Sequence, residues 1–252
     1  MPQSEDSFDF GADLPDPPRA APDAGEQAGK AAGRGHRERL RQRLLTGGAE
    51  ALADYEVLEY LLFAAIKQGD TKPVAKALLA HFGSLAKVLN ADPRALQRVK
   101  GVGETSAAAL KSVAIAARRM ARSEIVERPV LSSWQALLDY LALDMAHLNH
   151  ERVRVLFLNS QNRLVLDHLA SEGSIDQAAI HPREVIRKAF DIGATALILV
   201  HNHPSGSPEP SRADIDITNR IAEAGRHLDI TVHDHVIVGG DSHVSLRAKG
   251  LI

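Results

Sequence analysis

Two short apolar runs, Val153–Leu158 (VRVLFL) and Ala196–Val200 (ALILV), constrain this chain more than any other feature. Near-continuous apolar runs of that length are what strands buried on both faces require. Leu164–Leu169 follows the first run across Asn159-Ser160-Gln161-Asn162 and reads as its hairpin partner. Pro182 opens a helix to about Asp191, with Val185, Ile186 and Phe190 inward. A further helix runs from Ser211 to about His227, and Ile230–Val238 contains another strand. Trp134–Leu143 is a helix leading into this region. Alternating strands and helices predict an α/β domain over residues 130–252, a mixed sheet with flanking helices.

Upstream the pattern changes. Ala, Leu, Glu, Lys and Arg dominate from Arg37 to Arg122 at helical spacing, which predicts a small all-helical domain over residues 34–123. Asp54 reads as an N-cap, Pro73 as a first-turn residue and Gly83 as a helix end. Residues 1–33 are rich in Pro, Gly, Ala and Asp and poor in large apolar side chains, so they read as a disordered acidic tail.

The net charge of −2 conceals a partition: residues 31–125 carry 16 bases and 9 acids, whereas residues 126–252 carry 12 bases and 16 acids. The chain has no cysteine, which excludes disulfide scaffolds, zinc fingers and thiol catalysis. With neither a span-length apolar run nor a signal-peptide pattern, the expectation is a cytoplasmic protein without a membrane role. Any metal site must be built from His, Asp and Glu, and ten of the 12 His lie from His147 onward.

Within the helical region, Leu96–Leu110 (LQRVKGVGETSAAAL) resembles a helix-hairpin-helix motif. Gly101 and Gly103 permit a tight turn whose backbone N–H groups suit a phosphate, and Lys100, Arg98 and Lys111 add positive charge. The alternative is a helical hairpin that packs and binds nothing, which Glu104 favours because an acid there repels a phosphate.

The chemistry gathers where the ALILV strand ends, in His201-Asn202-His203-Pro204-Ser205-Gly206-Ser207-Pro208-Glu209-Pro210-Ser211-Arg212-Ala213-Asp214. Two His separated by one residue on extended backbone project from one face. Two imidazoles and one carboxylate make a catalytic zinc shell with a position left for water, and Asp214 can be the third ligand. Ser211-x-x-Asp214 is also a capping box, which needs no metal. His233-Asp234-His235 repeats the spacing within an expected strand, which would put both His on one face; structural roles are expected for them. No Walker loop and no His-Glu-x-x-His helix is present.

The pattern from His201 to Asp214 is that of the JAMM signature of JAB/MPN metalloprotease domains. Together with GHRERLRQRLL (Gly35–Leu45), FGSL (Phe82–Leu85), Gly101-Val102-Gly103, HPREVIRKA (His181–Ala189) and DHVIVG (Asp234–Gly239), it resembles the RadC family from Arg34 to Ile252. The resemblance implies a bacterial protein with a helix-hairpin-helix part, a JAB/MPN domain and a family name drawn from DNA repair. It implies Zn²⁺ held by His201, His203 and Asp214, Ser211 assisting the tetrahedral intermediate, and a Glu from an upstream strand as general acid and base. In the family's pattern that Glu is matched here by His168, five residues before Gly173-Ser174-Ile175-Asp176. His168 then serves as the base, binds the metal as a fourth ligand, or leaves a site that binds metal and catalyses weakly. Glu172 shares its strand parity, and Asp167 points to the opposite face. Two functions follow as expectations. One is a zinc metallohydrolase acting on a peptide or protein substrate. The other is a DNA-associated accessory protein, binding without sequence preference through Lys100, Gly101 and Gly103, whose JAMM domain is structural or weakly active.

Overall fold

The computed structural model describes residues 24–173, 180–240 and 242–252. The expected tail lies outside these up to residue 23, and the first helix, α1, spans Ala24–Gly47. Five more helices follow: α2 (Asp54–Leu62), α3 (Lys72–Phe82), α4 (Leu85–Asn90), α5 (Pro93–Gln97) and α6 (Glu104–Glu127). Their local chemistry explains their ends. Pro73 sits in the first turn of α3, and Gly83, at φ +91°, terminates it. Asp54 lies in the first turn of α2 and is not its cap; the Glu56 carboxylate accepts the Ala53 N–H at 3.0 Å. Ser84 caps α4 and Asp92 caps α5. These helices close over Leu58, Leu62, Leu78, Val88, Leu96 and Leu110.

α6 does not stop with that core. Its far end delivers Ile125 to a second one, against α7 (Trp134–Met145). The helical region and the sheet region thus share one continuous helix.

The sheet has five strands in the order β2-β1-β3-β4-β5. They are β1 (Glu151–Leu158), β2 (Leu164–Gly173), β3 (Ala196–Asn202), β4 (Thr231–Gly239) and β5 (Ser242–Ser245). β1 runs antiparallel to β2 and β3, β3 parallel to β4, and β4 antiparallel to β5, a mixed sheet. The parallel pair needs a crossover, which α9 (Arg212–Arg226) supplies. α8 (Pro182–Asp191) precedes β3. Every residue of β3 is buried, the expected fate of ALILV. Leu156, Leu158, Ile198, Val200 and Val236 face α6 and α7, while Val155, Phe157, Leu197, Leu199 and Val232 face α8 and α9.

Three irregularities interrupt the ladders, and two of them decide which side chains reach which face near the strand ends. In β2 the register slips by one residue, with Val153 opposite Ser171 and Arg154 opposite Leu169. In β4 it slips again, with Leu197 opposite Val232 and Ile198 opposite Asp234. Each extra residue is a bulge that reverses inward and outward parity beyond it.

Candidate metal centre

His201 follows Leu197 and Leu199 in β3 and shares their face, towards α8 and α9. His203 lies just past the strand end, but its N–H donates to Val238 O at 2.9 Å, so the chain stays extended beside β4. The loop that follows returns to α9, where Ser211 is the N-cap. β4 passes beneath this loop at Gly239, where a Cβ would stand 2.6 Å from Pro208 N and 2.7 Å from Ser207 C. Only glycine permits that approach. It seats the Ser207 carbonyl 2.9 Å from His203 Nδ1, which donates to it.

His201 Nε2 and His203 Nε2 stand 2.8 Å apart. Asp214 Oδ1 is 3.4 Å from the first and Oδ2 is 3.7 Å from the second. Among the described residues, His201, His203 and Asp214 form one group whose ligand atoms all lie within 4.8 Å of one another. The capping box forms at the same time: Ser211 N donates to Asp214 Oδ2 at 2.7 Å, and Asp214 N donates to Ser211 Oγ at 3.2 Å. Capping and clustering are therefore not alternatives, because the cap is what aims the carboxylate. Ser211 Oγ accepts in this box, so its own proton is not consumed there. Behind His201, Nδ1 lies 2.8 Å from His235 Nε2. His235 Nδ1 lies 2.6 Å from Thr218 Oγ1, and that hydroxyl donates to Asp214 O at 2.5 Å.

Burial lowers the pKa of His201 to about 4 and that of His235 to about 3. His203 is raised, first by the Asp214 carboxylate facing it, with the Ser207 carbonyl and the charge of Glu151 adding to it against burial. Burial works against ionisation of Asp214, but His203, His201 and Ser211 together hold its carboxyl well below the usual range. In neutral His203 the Nδ1 proton is committed to a carbonyl, which leaves the Nε2 lone pair turned into the cluster. Two imidazoles and an ionised carboxylate converging this way fit a divalent metal ion.

His168 stands outside this group. It pairs with Val155, which faces α8 and α9, and its ring centroid lies 6.3 Å from that of Phe157. Glu172 is not its face-mate. The β2 bulge puts Glu172 opposite Arg152, where it pairs with Arg152 at 2.5 Å and His150 at 2.6 Å. Asp167 is on the opposite face as expected, held by Arg154 at 2.7 Å and Tyr140 at 2.5 Å.

One acid on the face of this cluster belongs to no sequence motif. Glu151 opens β1 with the parity of Val153, which pairs with His201, so it lies on the cluster's face of the sheet, and its charge raises the pKa of His203. Asn202 fixes this strand end: its side-chain carbonyl accepts the Arg152 N–H at 2.9 Å and its amide donates to His150 O at 3.0 Å. Both bonds flank Glu151. The signal was available, because Glu151 has the strand parity of Val153 and Val155, but its closeness to His203 depends on how β1 registers with β3.

His233 and His235 do not share a face. His233 Nε2 bonds Asn162 Oδ1 at 2.7 Å, whereas His235 faces His201, because the bulge falls between them. In the helical region Lys100, Gly101 and Gly103 are exposed on the turn between α5 and α6. Gly101 takes φ +91°, with Val74 Cγ2 at 2.8 Å from where a Cβ would be. Lys111 is not a free charge: Nζ donates to the carbonyls of Leu89, Asn90 and Ala91 at 3.1–3.2 Å, closing the end of α4.

No helix among the described residues is long and apolar enough to cross a membrane. Residues 131–251 match the family model of the RadC-like JAB domain, and residues 35–108 match that of the UPF0758 N-terminal region. The two matches fall on the sheet with its His-His-Asp group and on the helical core before it, in that order, and on that evidence the chain belongs to the RadC family.

Proposed function

We propose that this protein is a zinc-dependent hydrolase of peptide or isopeptide bonds. The observation that carries the reading is the convergence of His201, His203 and Asp214 on the sheet face where β1 presents Glu151. Bound there, zinc would supply Lewis acidity, polarising a carbonyl and making water acidic enough to attack near neutral pH. The chain's own residues supply the rest. His201 and His203 offer Nε2, and Asp214 offers a carboxylate that its cap keeps aimed inward. Glu151 takes a proton from the attacking water and returns it to the leaving amine, the role the RadC resemblance gives to an acid on an upstream strand. The Ser211 O–H, unused in the capping box, donates to the developing oxyanion.

Elemental analysis and a mixed peptide and isopeptide library read by mass spectrometry test this together. Wild type and Glu151→Gln are expected to hold close to one zinc per chain, and His203→Ala to hold none. Only wild type is expected to cleave. Zinc retained in a His201→Ala, His203→Ala double variant overturns the site. Cleavage that survives Glu151→Gln removes that residue from the chemistry.

A second reading rests on the exposed turn at Lys100–Gly103, with its backbone N–H groups at the start of α6. It makes the helical region a sequence-indifferent DNA contact. Binding to a duplex of arbitrary sequence that weakens steeply with salt, and is lost in Lys100→Glu, tests it.

A further inference from the structure

His235 and Thr218 belong to no part of the hydrolytic scheme, yet both are buried and both end on the metal cluster. The direction of their hydrogen bonds follows from one fixed point. Asp214 O is a backbone carbonyl and can only accept, so the Thr218 hydroxyl spends its single proton there. Thr218 Oγ1 must then accept from His235 Nδ1, which therefore carries the proton. A neutral imidazole protonated on Nδ1 has a lone pair on Nε2. His235 Nε2 therefore accepts from His201 Nδ1, and His201 is left with its own lone pair on Nε2, facing the cluster. His203 reaches the same state by a separate route, through the Ser207 carbonyl. With His203 neutral, the two Nε2 lone pairs and the ionised carboxylate point into one space, an arrangement that a cation, whether a metal ion or a proton on His203, satisfies.

We infer that His235 and Thr218 are positioning residues that lock His201 in the metal-binding tautomer and tie it to the helix turn bearing Asp214. This inference rests on the metal-centre reading above. The relay begins at one ligand, His201, and ends on the backbone of another, Asp214, so a single three-bond chain sets the orientation of both. Hydrogen-bonded partners of this kind typically govern metal affinity by about 10–100-fold. The β4 bulge makes the relay possible, because it lets His235 face His201 while His233 faces the other side of the sheet.

The test uses the full chain and two readouts. The first is ¹⁵N NMR of histidine rings in the metal-free wild type. His201 and His235 are expected to be protonated on Nδ1 and bare on Nε2. The second is binding of Co²⁺ alone, read by its visible absorption, in wild type, Thr218→Val, Thr218→Ser and His235→Phe. Thr218→Val keeps the shape and removes the hydroxyl; it is expected to weaken Co²⁺ about 10-fold. Thr218→Ser keeps the hydroxyl and is expected to bind as wild type does. His235→Phe is expected to lose as much as Thr218→Val or more, and its far-ultraviolet circular dichroism reports whether it folds. The NMR arm stands whether or not that variant folds. Nε2-protonated His201 in wild type, or equal Co²⁺ affinity in Thr218→Val and wild type, overturns the relay and leaves the metal centre intact. Wild type that takes up no Co²⁺ overturns the metal centre itself, and the relay's effect on affinity with it.

Discussion

His201-Asn202-His203 and His233-Asp234-His235 have the same spacing and lie on neighbouring parallel strands. Their middle residues behave alike. Asn202 and Asp234 are both buried and both hold backbone: Asn202 pins the start of β1, and Asp234 accepts from His235 N, Arg247 N and Ser245 Oγ. Their histidines do not behave alike. The first pair converges with Nε2 atoms 2.8 Å apart, and the second is split across the sheet. Nothing in the three-residue spacing separates the two cases. A bulge within the second stretch turns its histidines to opposite faces, and the loop that begins after the first brings Asp214 back over it.

Five measurements sharpen or break this comparison. The largest effect is on metal content. His201→Ala and His203→Ala should each abolish stoichiometric zinc while His233→Ala keeps it, and zinc lost equally from all three would make the two pairs equivalent. Asp234→Ala should come next, lowering unfolding free energy by about 3 kcal/mol, because it strands two backbone N–H groups and a hydroxyl; urea denaturation reads it. Asn202→Ala strands only the two groups on either side of Glu151, so about 2 kcal/mol is expected, with turnover falling further than metal content does.

The fourth concerns acid. His201 and His235 have folded pKa values of about 4 and about 3, below the 6.5 of an unfolded histidine. Below pH 6.5 the unfolded chain therefore binds protons that these buried rings refuse. The contribution of these two rings is full above pH 6.5 and falls as the pH drops towards 4, with a slope approaching two protons. His203 acts oppositely: its raised pKa contributes stability below pH 6.5 that is lost as pH rises through its folded value. Metal-free wild type and His235→Phe compared across this range should differ by close to one proton in slope. The smallest effect is that of His233→Ala on stability, about 1 kcal/mol for the single bond to Asn162. A loss as large as that of Asp234→Ala would mean that His233 bears more of the bulge than its contacts show.

Much of the site was legible. His201, His203, Ser211 and Asp214 are contiguous or nearly so, and a buried strand, a proline-rich loop and a capping box suffice to bring them together. Glu172 and His235 were harder for one shared reason: parity counted along a strand fails wherever a bulge adds a residue. Glu172 changes face across the β2 bulge, and His235 parts from His233 across the β4 bulge. Lys111 shows the same limit in the helical region, since a basic residue on a helix reads as available charge until the end of another helix claims it.

The sequence by itself determined the fold class, the order of the two regions and the grouping of His201, His203 and Asp214. Apolar run length, helical periodicity and capping chemistry act over neighbouring residues, and side-chain type alone carries them. Only the tertiary structure decided which acid shares the triad's face of the sheet and which second histidine bonds to it. Those outcomes depend on strand register, on two bulges and on the carbonyl at the start of α9, where a hydrogen-bond chain finds its fixed end. Register is a property of pairs of strands, so no single stretch of sequence contains it.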